Sequence, residues 1–286
     1  MKRENIVSKI IFDNNFAEFG ATNFEIIQKK LLSCSKLKDI PQNAKTVLSF
    51  IFPYYAGEFE NSNISKYAVA PDYHNTILNK LNLLAQVFKQ NFCNFDFVPF
   101  CDNSPVPEVY TAAFAGLGCI GKNGLLIHPK YGSFVFIGEI ITDMQIDTFL
   151  SSIKSCDNCD ACIKSCPSNA LSNDKFEKSK CLSFISQRKS ELTSNEKELL
   201  NKTGCIWGCD ICQNVCPMNK NIAKTEIFEF SNNFKPIITQ DELDNNDFEV
   251  KNSDRAYLWK GKDILKRNLC IINETKADNK SEKQKN

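Results

Sequence analysis

The residues of this chain that are most able to carry chemistry are cysteines in two short motifs. The run CDNCDACIKSCP has the spacing CxxCxxCxxxCP, and GCDICQNVCP repeats CxxCxxxCP about fifty residues later. In the bacterial ferredoxin run of this spacing, three thiolates hold one [4Fe–4S] cube and the fourth reaches another. With Cys181 between the motifs, eight thiolates are present, which is enough for two cubes.

The same spacing assigns each thiolate to a cluster. The first cluster takes Cys156, Cys159, Cys162 and Cys216, and the second takes Cys166, Cys181, Cys209 and Cys212. This interleaving would hold the two clusters close enough for rapid electron transfer. Zinc also binds CxxC pairs but explains the count of eight less well. Cys205 remains an alternative ligand that the matched spacing disfavours.

We predict two main domains, one that holds the cysteines and one that carries out catalysis. Residues 1–150 mix helical and strand-like segments, which favours an α/β (α+β) catalytic domain. We predict helices at FEIIQKKLLSCSKL and YHNTILNKLNLLAQVFKQ, and strands at TVLSFIFPYY, FDFVPF, GLLIHP and SFVFIGEIIT. Residues 151–222 form a ferredoxin-like domain. Residues 223–286 give a C-terminal helical segment and a polar tail that we expect to be disordered.

The composition excludes several classes of protein. Lysine and arginine total 35 against 34 acidic residues, so the overall charge gives no general argument for polyanion binding. The apolar run at the N-terminus is too interrupted for a secretory signal, and no stretch is long enough for a membrane span. We therefore expect a cytoplasmic protein with reduced thiols, in which clustered cysteines indicate metal rather than disulfides.

The most distinctive text outside the cysteines is FCDNSPVPEVYTAAFAGLGCIGKNGLLIHPKYGSFVFIGEIITD, residues 100–143. It resembles the D(S/T)xPxxE…AGLGxxGKxxLLI…GSxxFxGEIxTD signature of epoxyqueuosine reductases. The resemblance continues through DYHNTILNKL, both cysteine motifs and the CLSFISQ segment at Cys181, from about residue 50 to 270.

This resemblance implies a function and its cofactors. It implies a cobalamin held on a domain similar to the nitroreductase fold, with two [4Fe–4S] clusters that feed it electrons. The implied reaction is reduction of epoxyqueuosine to queuosine at the tRNA wobble position, by a monomer served by an external low-potential electron donor. The alternatives are a dehalogenase-like or corrinoid-activating reductase, and a ferredoxin-type carrier without corrinoid.

The resemblance also implies roles for single residues. Asp102 matches the proton donor, and its pKa would be raised beside a buried corrinoid; a turn or helix-capping aspartate is the alternative. Asp102, Lys122, Ser133 and Ser183 are the expected cofactor contacts, and Asp72, Tyr73 and His74 line the expected substrate pocket. DYHNTI lacks the glycine of cobalt-ligating DxHxxG motifs. The family that the chain resembles leaves the lower cobalt face without a protein ligand, and we expect the same here.

The chain departs from the family's longer members at its C-terminal end. It has no room for the helical repeats that help to grip tRNA, which leaves substrate presentation open. Five basic residues are candidates to contact phosphates instead, with a solvated helix as the alternative: Arg255, Lys260, Lys262, Lys266 and Arg267.

Overall fold

The computed structural model of the chain describes residues 3–147, 152–157, 159–173 and 175–283. The chain divides into two compact units, each assembled from separate stretches of sequence. The first comprises residues 1–54, 73–158 and 218–227, and the second comprises 55–72, 159–217 and 228–286. The linear domains 1–150, 151–222 and 223–286 stay a prediction, and their first boundary lies outside the described residues. Unlike these predicted domains, the second unit groups residues 55–72 and the C-terminal stretch with most of the cysteines.

The first unit contains a small sheet with helices packed against it. Its helices are α1 (Arg3–Asp13), α2 (Phe24–Gln28), α3 (Tyr73–Asn91) and α4 (Glu108–Phe114). Its strands are β1 (Phe19–Asn23), β2 (Thr46–Pro53), β3 (Phe97–Phe100), β4 (Cys119–Ile120), β5 (Leu126–Ile127) and β6 (Val135–Thr142).

The main sheet is antiparallel, in the strand order β1-β2-β6-β3, so the unit is α+β. All four predicted strands are present, and α3 begins and ends close to its predicted bounds. The helix expected over residues 24–37 ends at Gln28. Leu32 donates its backbone N–H to the carbonyl of Pro105 at 2.8 Å, so a tertiary hydrogen bond replaces the helical one.

Strand β6 presents different partners on its two faces because successive side chains alternate. On one face, a Cβ at Gly138 would lie 2.8 Å from side-chain atoms of Ile77 and Leu81, which shows how closely α3 approaches the strand. On the opposite face, Glu139 meets Ser104 from the segment that leads into α4. The strand therefore separates an α3 side from an α4 side.

The second unit is built from short helices around one core. They are α5 (Ala161–Ser165), α6 (Leu182–Ser186), α7 (Ser194–Thr203), α8 (Ile211–Asn214), α9 (Gln240–Asp244), α10 (Phe248–Lys251) and α11 (Asp263–Lys283). The core includes Ile64, Leu200, Trp207, Tyr257 and Leu265, which come from all three stretches of the unit. Burial of such side chains stabilises it by roughly 1.5–3 kcal/mol each.

Helix α11 is longer than the sequence led us to expect. It continues to Lys283 and includes most of the tail that we predicted to be disordered. No glycine or proline interrupts residues 263–283, so nothing in the backbone chemistry ends the helix that begins at Asp263. Among the helices of the described ranges, none combines the length and the apolar character needed to cross a bilayer.

Candidate active site and cluster ligands

Asp102 lies in the loop that follows β3, with its carboxylate held by the first turn of α3. Its Oδ2 accepts hydrogen bonds from the Tyr73 hydroxyl and from His74 Nε2, the latter at 3.0 Å. Asp102 and Asn103 both have positive φ, 47° and 44°, a region that aspartate and asparagine tolerate better than most residues. The structure thus joins two motifs that lie about thirty residues apart in the sequence.

An aromatic stack fixes the orientation of Tyr73. Its ring lies parallel to that of Phe136 in β6, with centroids 3.9 Å apart, and it also stacks on His74 at 4.1 Å. Tyr54 packs against Phe136 from β2's end at 4.4 Å. Because Phe136 belongs to the sheet, this stacking anchors the hydroxyl that donates to Asp102.

The pKa of Asp102 is lowered, which is opposite to the expected direction. Burial, the largest influence, raises the pKa, but hydrogen bonds from His74 and Tyr73 and the charges of His74 and Lys36 outweigh it. The Lys36 ammonium also donates to the Asp102 carbonyl at 3.3 Å. In the protein without cofactor or substrate, these donors stabilise the ionised form of Asp102. The pKa of Asp102 would therefore rise only if a bound molecule covered its half-exposed side chain.

Two buried carboxyl groups lie behind Asp102, and sequence reasoning overlooked one of them. Glu108, in the first turn of α4, accepts the backbone N–H of Asp102, while Glu139 accepts the Ser104 hydroxyl at 2.7 Å. One carboxyl oxygen of each, Oε1, has no hydrogen-bond partner among the described residues. Burial and the charge of Asp102 raise the pKa of Glu108 to about 8.

The pKa of Glu139 is shifted in the same direction. Complete burial, followed by the charge of Glu108, raises its pKa well above the ordinary value. Asp143, which follows β6, accepts the Asp96 backbone N–H at 2.8 Å, whereas Glu139 belongs with Glu108. The sequence feature that could have identified Glu108 is its position at the end of the DNSPVPE motif.

Both histidines of the chain have protein partners. His74 bonds to Asp102, as described above. His128 Nε2 lies 3.3 Å from a Glu18 carboxylate oxygen, and its Nδ1 accepts the Lys130 backbone N–H at 3.2 Å. These contacts hold the His128 ring in place through both of its nitrogens.

The other predicted contact residues are held in local networks. Ser133 donates its backbone N–H to Asn219 Oδ1 at 2.7 Å, and its hydroxyl accepts from the same amide at 2.9 Å. Lys122 donates its backbone N–H to Cys156 Sγ at 3.4 Å. In the second unit, Ser183 Oγ accepts from Gln187 at 3.3 Å, and Asp72 donates its backbone N–H to the Asp254 carbonyl. Their roles toward a cofactor or substrate stay predictions.

The cysteine motifs of the second unit lie on two short helices that pack together, α5 and α8. Cys162 lies in α5 and Cys212 in α8, while Cys166 and Cys216 follow these helices. Backbone N–H groups point at several sulfurs: Ala170 donates to Cys166 at 3.3 Å, and Ile211 donates to Cys209. Such donors stabilise thiolates and tune the potentials of iron–sulfur clusters.

Segment 55–72 supports the second motif from the side. Asp210 accepts the Lys66 backbone N–H at 2.7 Å and the Ser65 hydroxyl, and Trp207 Nε1 donates to the Tyr67 hydroxyl at 2.8 Å. These contacts fix the chain on either side of Gly208 and so position Cys209. Cys156 belongs to the first unit, and the other seven motif cysteines belong to the second.

Cys205 behaves as a structural thiol. Its Sγ donates to the carbonyls of Trp207 at 3.3 Å and Gly208 at 3.4 Å. Burial raises its pKa to about 12. Within the described residues, no group of three or more His, Cys, Asp or Glu side chains is arranged to hold a single metal ion.

Two family models match the chain. Residues 155–219 match "4Fe-4S double cluster binding domain", a range that contains all eight motif cysteines. Residues 35–103 match "Epoxyqueuosine reductase QueG, DUF1730", which includes Tyr73, His74 and Asp102. The iron–sulfur interpretation of the cysteines is therefore confirmed at the level of the domain.

Relatives extend the match over most of the chain. The epoxyqueuosine reductase of Leadbetterella byssophila is 35% identical over 251 residues, which cover 86% of this chain and 82% of the relative. The structure of epoxyqueuosine reductase from Streptococcus thermophilus superposes with a TM-score of 0.81 at 26% identity, over 95% of this chain and 81% of that one.

A further solved structure shares the fold. It is an epoxyqueuosine reductase with a tRNA-Tyr epoxyqueuosine-modified stem loop, with a TM-score of 0.81 at 22% identity, covering 94% of this chain and 80% of that one. Motifs, family models and near full-length relatives all agree. The chain belongs to the epoxyqueuosine reductase family.

Proposed function

We propose that the chain reduces epoxyqueuosine to queuosine at the wobble position of tRNA. The observation that carries this proposal is Asp102, a half-exposed carboxyl group held by Tyr73 and His74 beside the buried acid Glu108. Membership of the family and the relative bound to a modified stem loop support the choice of substrate.

The reaction requires two electrons and two protons, because the epoxide oxygen leaves as water while the ring carbons become an alkene. A bound cobalamin would supply the reducing equivalents to the epoxide, with the two [4Fe–4S] clusters as its source of electrons. Eight cysteines fit the clusters: Cys156, Cys159, Cys162 and Cys216 for the first, and Cys166, Cys181, Cys209 and Cys212 for the second.

The histidines fit a corrinoid that receives no protein ligand on its lower face. The sequence has two histidines, and the ring nitrogens named above already contact Asp102, Glu18 and the backbone of Lys130. The exposed part of the Asp102 side chain supplies a polar group at the surface that a bound corrinoid and substrate would cover.

Asp102 supplies one of the two protons. Tyr73 and His74 both donate to Oδ2, which leaves Oδ1 to hold a proton and pass it to the epoxide oxygen as the carbon–oxygen bond breaks. Burial opposes the lowering of the Asp102 pKa by His74, Tyr73 and Lys36, and covering the carboxyl group would strengthen the influence of burial.

The remaining partners follow from the chemistry. All fourteen cysteines are free thiols, which supports a reducing compartment such as the cytoplasm. Because the two electrons must be replaced after each turnover, the enzyme requires an external low-potential donor. We propose that it acts as a monomer.

The function is tested by anaerobic reconstitution with iron, sulfide and cobalamin, followed by incubation with epoxyqueuosine-containing tRNA and a strong reductant. Nucleoside analysis should show that queuosine replaces epoxyqueuosine only when cobalamin is present. If the protein binds both cofactors and yet queuosine never forms, the substrate assignment is wrong.

A further inference from the structure

The basic residues that the sequence offered for phosphate contact do not share one role. Arg255 is buried, donates to the Val69 carbonyl at 3.1 Å and pairs with Asp254 at 3.2 Å. Lys266 pairs with Asp244 at 2.9 Å. These two side chains stabilise the second unit, so the expectation that they contact phosphates is not supported.

Arg267 has a different structural role. Its Nη1 donates to the carbonyls of Arg188 and Ser190, at 2.7 and 2.8 Å. These two bonds hold the loop after α6 against α11. Lys189 lies between the two bonded carbonyls, and its side chain is exposed. The loop therefore presents a lysine from a fixed backbone.

Lys260 belongs to the same basic group as this lysine. Burial lowers the pKa of Lys260, and the positive charges of Lys189 and Lys178 lower it further. Glu177, which precedes Lys178 in the sequence, is paired with Lys175 at 3.5 Å and with Lys180 at 3.0 Å.

Aromatic rings lie among these lysines. Trp259 is 66% exposed, and the Lys260 ammonium lies 4.3 Å from the centroid of its ring. The Lys178 ammonium lies 5.7 Å from the ring of Phe184, which is also exposed. Exposure of a tryptophan is unfavourable in water, which makes a partner that covers it energetically useful.

We propose that the anticodon loop of tRNA docks on a lysine–tryptophan surface formed by Lys178, Lys189, Trp259 and Lys260. This inference rests on the proposed function and assigns a contact surface to its RNA. The lysines meet phosphates, and the Trp259 ring stacks on an unpaired base.

The chemistry of the surface favours single-stranded RNA over other partners. Base stacking on an exposed ring and lysine contacts to phosphates are the two main elements of single-strand binding. The whole chain carries a net charge of only +1, so the attraction must be local. An acidic protein would match the lysines but would gain less from the ring, which suits a flat unpaired base.

The test uses an RNA anticodon stem loop and the reconstituted protein, with fluorescence anisotropy as the readout. Replacing Lys178, Lys189 and Lys260 by Gln should weaken binding at least tenfold. It should also lower the slope of log affinity against log salt by about 2, since each phosphate contact contributes about 0.7. Trp259→Ala should weaken binding about tenfold and leave the salt slope unchanged.

A matched control removes the same charge elsewhere in the second unit. Lys197, Lys202 and Lys251 are exposed, and their replacement by Gln should change affinity less than twofold. Cluster absorbance and thermal stability confirm that each variant is folded. If the surface variants bind the stem loop like the wild type, or the control variant loses as much affinity, the proposal is wrong.

This experiment separates the inference from the proposed function. Wild-type protein that binds the stem loop through this surface but forms no queuosine would contradict the reaction and support the surface. Wild-type protein that forms queuosine while the surface variants keep full affinity would support the reaction and overturn the surface.

Discussion

At the scale of single residues, Asp102 combines a lowered pKa with a role that needs a proton. Tyr73 and His74 hold its carboxylate in place, and the same hydrogen bonds favour the ionised form. Asp102 therefore depends on its surroundings for protonation. A bound corrinoid and substrate that cover the carboxyl group would supply this influence.

Replacing Asp102 by Asn should keep both clusters and cobalamin and lower kcat by roughly 10²–10⁴-fold, since the amide has no acidic proton to give. Asn preserves the volume and still accepts from Tyr73 and His74. Single-turnover measurements of queuosine formation check this expectation, with Asp96→Asn, an exposed aspartate paired with Lys89, as control. Full activity in Asp102→Asn would remove this residue from the acid role.

Glu108→Gln should change how stability depends on pH. The pKa of Glu108 rises from 4.5 in the unfolded chain to about 8 in the fold. Its contribution to stability is therefore complete below pH 4.5 and is lost as pH rises through about 8. Gln does not ionise, so the variant should gain stability relative to wild type across this window, by up to about 1.4 kcal/mol per pH unit.

Denaturant unfolding at several pH values measures this difference. Glu139 remains in both proteins, but the charge of Glu108 raises its pKa, so the measured difference includes the loss of this coupling. Glu60→Gln, at an exposed position, serves as the control and should run parallel to wild type. If the unfolding free energies of Glu108→Gln and of wild type changed in parallel with pH, Glu108 would have an ordinary pKa in the fold.

Sequence reasoning could identify the cysteines and Asp102 because their signal is local. Ligand spacing is fixed by the short loop that must surround a cube, and the loop motif around Asp102 is contiguous. The acid Glu108 was missed because a glutamate in a short motif does not reveal its burial. Its raised pKa arises from Asp102 and from packing that brings distant segments together.

At the scale of elements, the segment between α7 and α8 positions the second cysteine motif. Gly204 ends α7 in the left-handed region with φ 67°, and Gly208 has φ 77°. A Cβ at Gly208 would lie 2.4 Å from Ser65 Cβ, whereas a Cβ at Gly204 meets nothing within 4 Å. The two glycines share a left-handed backbone that would strain any residue with a Cβ, and they differ in their surroundings.

Gly208→Ala should therefore destabilise the protein more than Gly204→Ala. Left-handed strain costs each variant about 1–2 kcal/mol, and only Gly208→Ala must also displace the segment at Ser65. Chemical denaturation measures the difference, and iron content after reconstitution reports whether the cysteine loop is disturbed. Equal losses in both variants would show that the contact with Ser65 is unimportant.

Elements with strong periodicity were predictable, and elements decided by tertiary contacts were not. Helix α3 buries Ile77, Leu81, Leu84, Ala85 and Phe88 on one face, as its spacing indicates. Helix α2 is cut short by a hydrogen bond from Leu32 to Pro105, and the antiparallel strand order depends on pairings between distant segments. No local pattern contains either piece of information.

At the scale of the whole molecule, both units are assembled from stretches that alternate along the chain. The core of the second unit combines Ile64 with Trp207 and with Leu265 from α11. The sequence changes character near residue 150, but the core does not follow this change. Composition reveals the chemistry of a segment, but whether its residues join a core depends on which other segments pack against it.

This alternation sets the order of events during synthesis. The cysteine motifs leave the ribosome well before α11, so they emerge while the apolar surface that α11 will cover is still open. Folding of the second unit must wait for nearly the whole chain, and its contacts span long sequence separations, which slows folding. We therefore expect cluster insertion to be a late step in the maturation of the protein, one that follows translation rather than accompanying it.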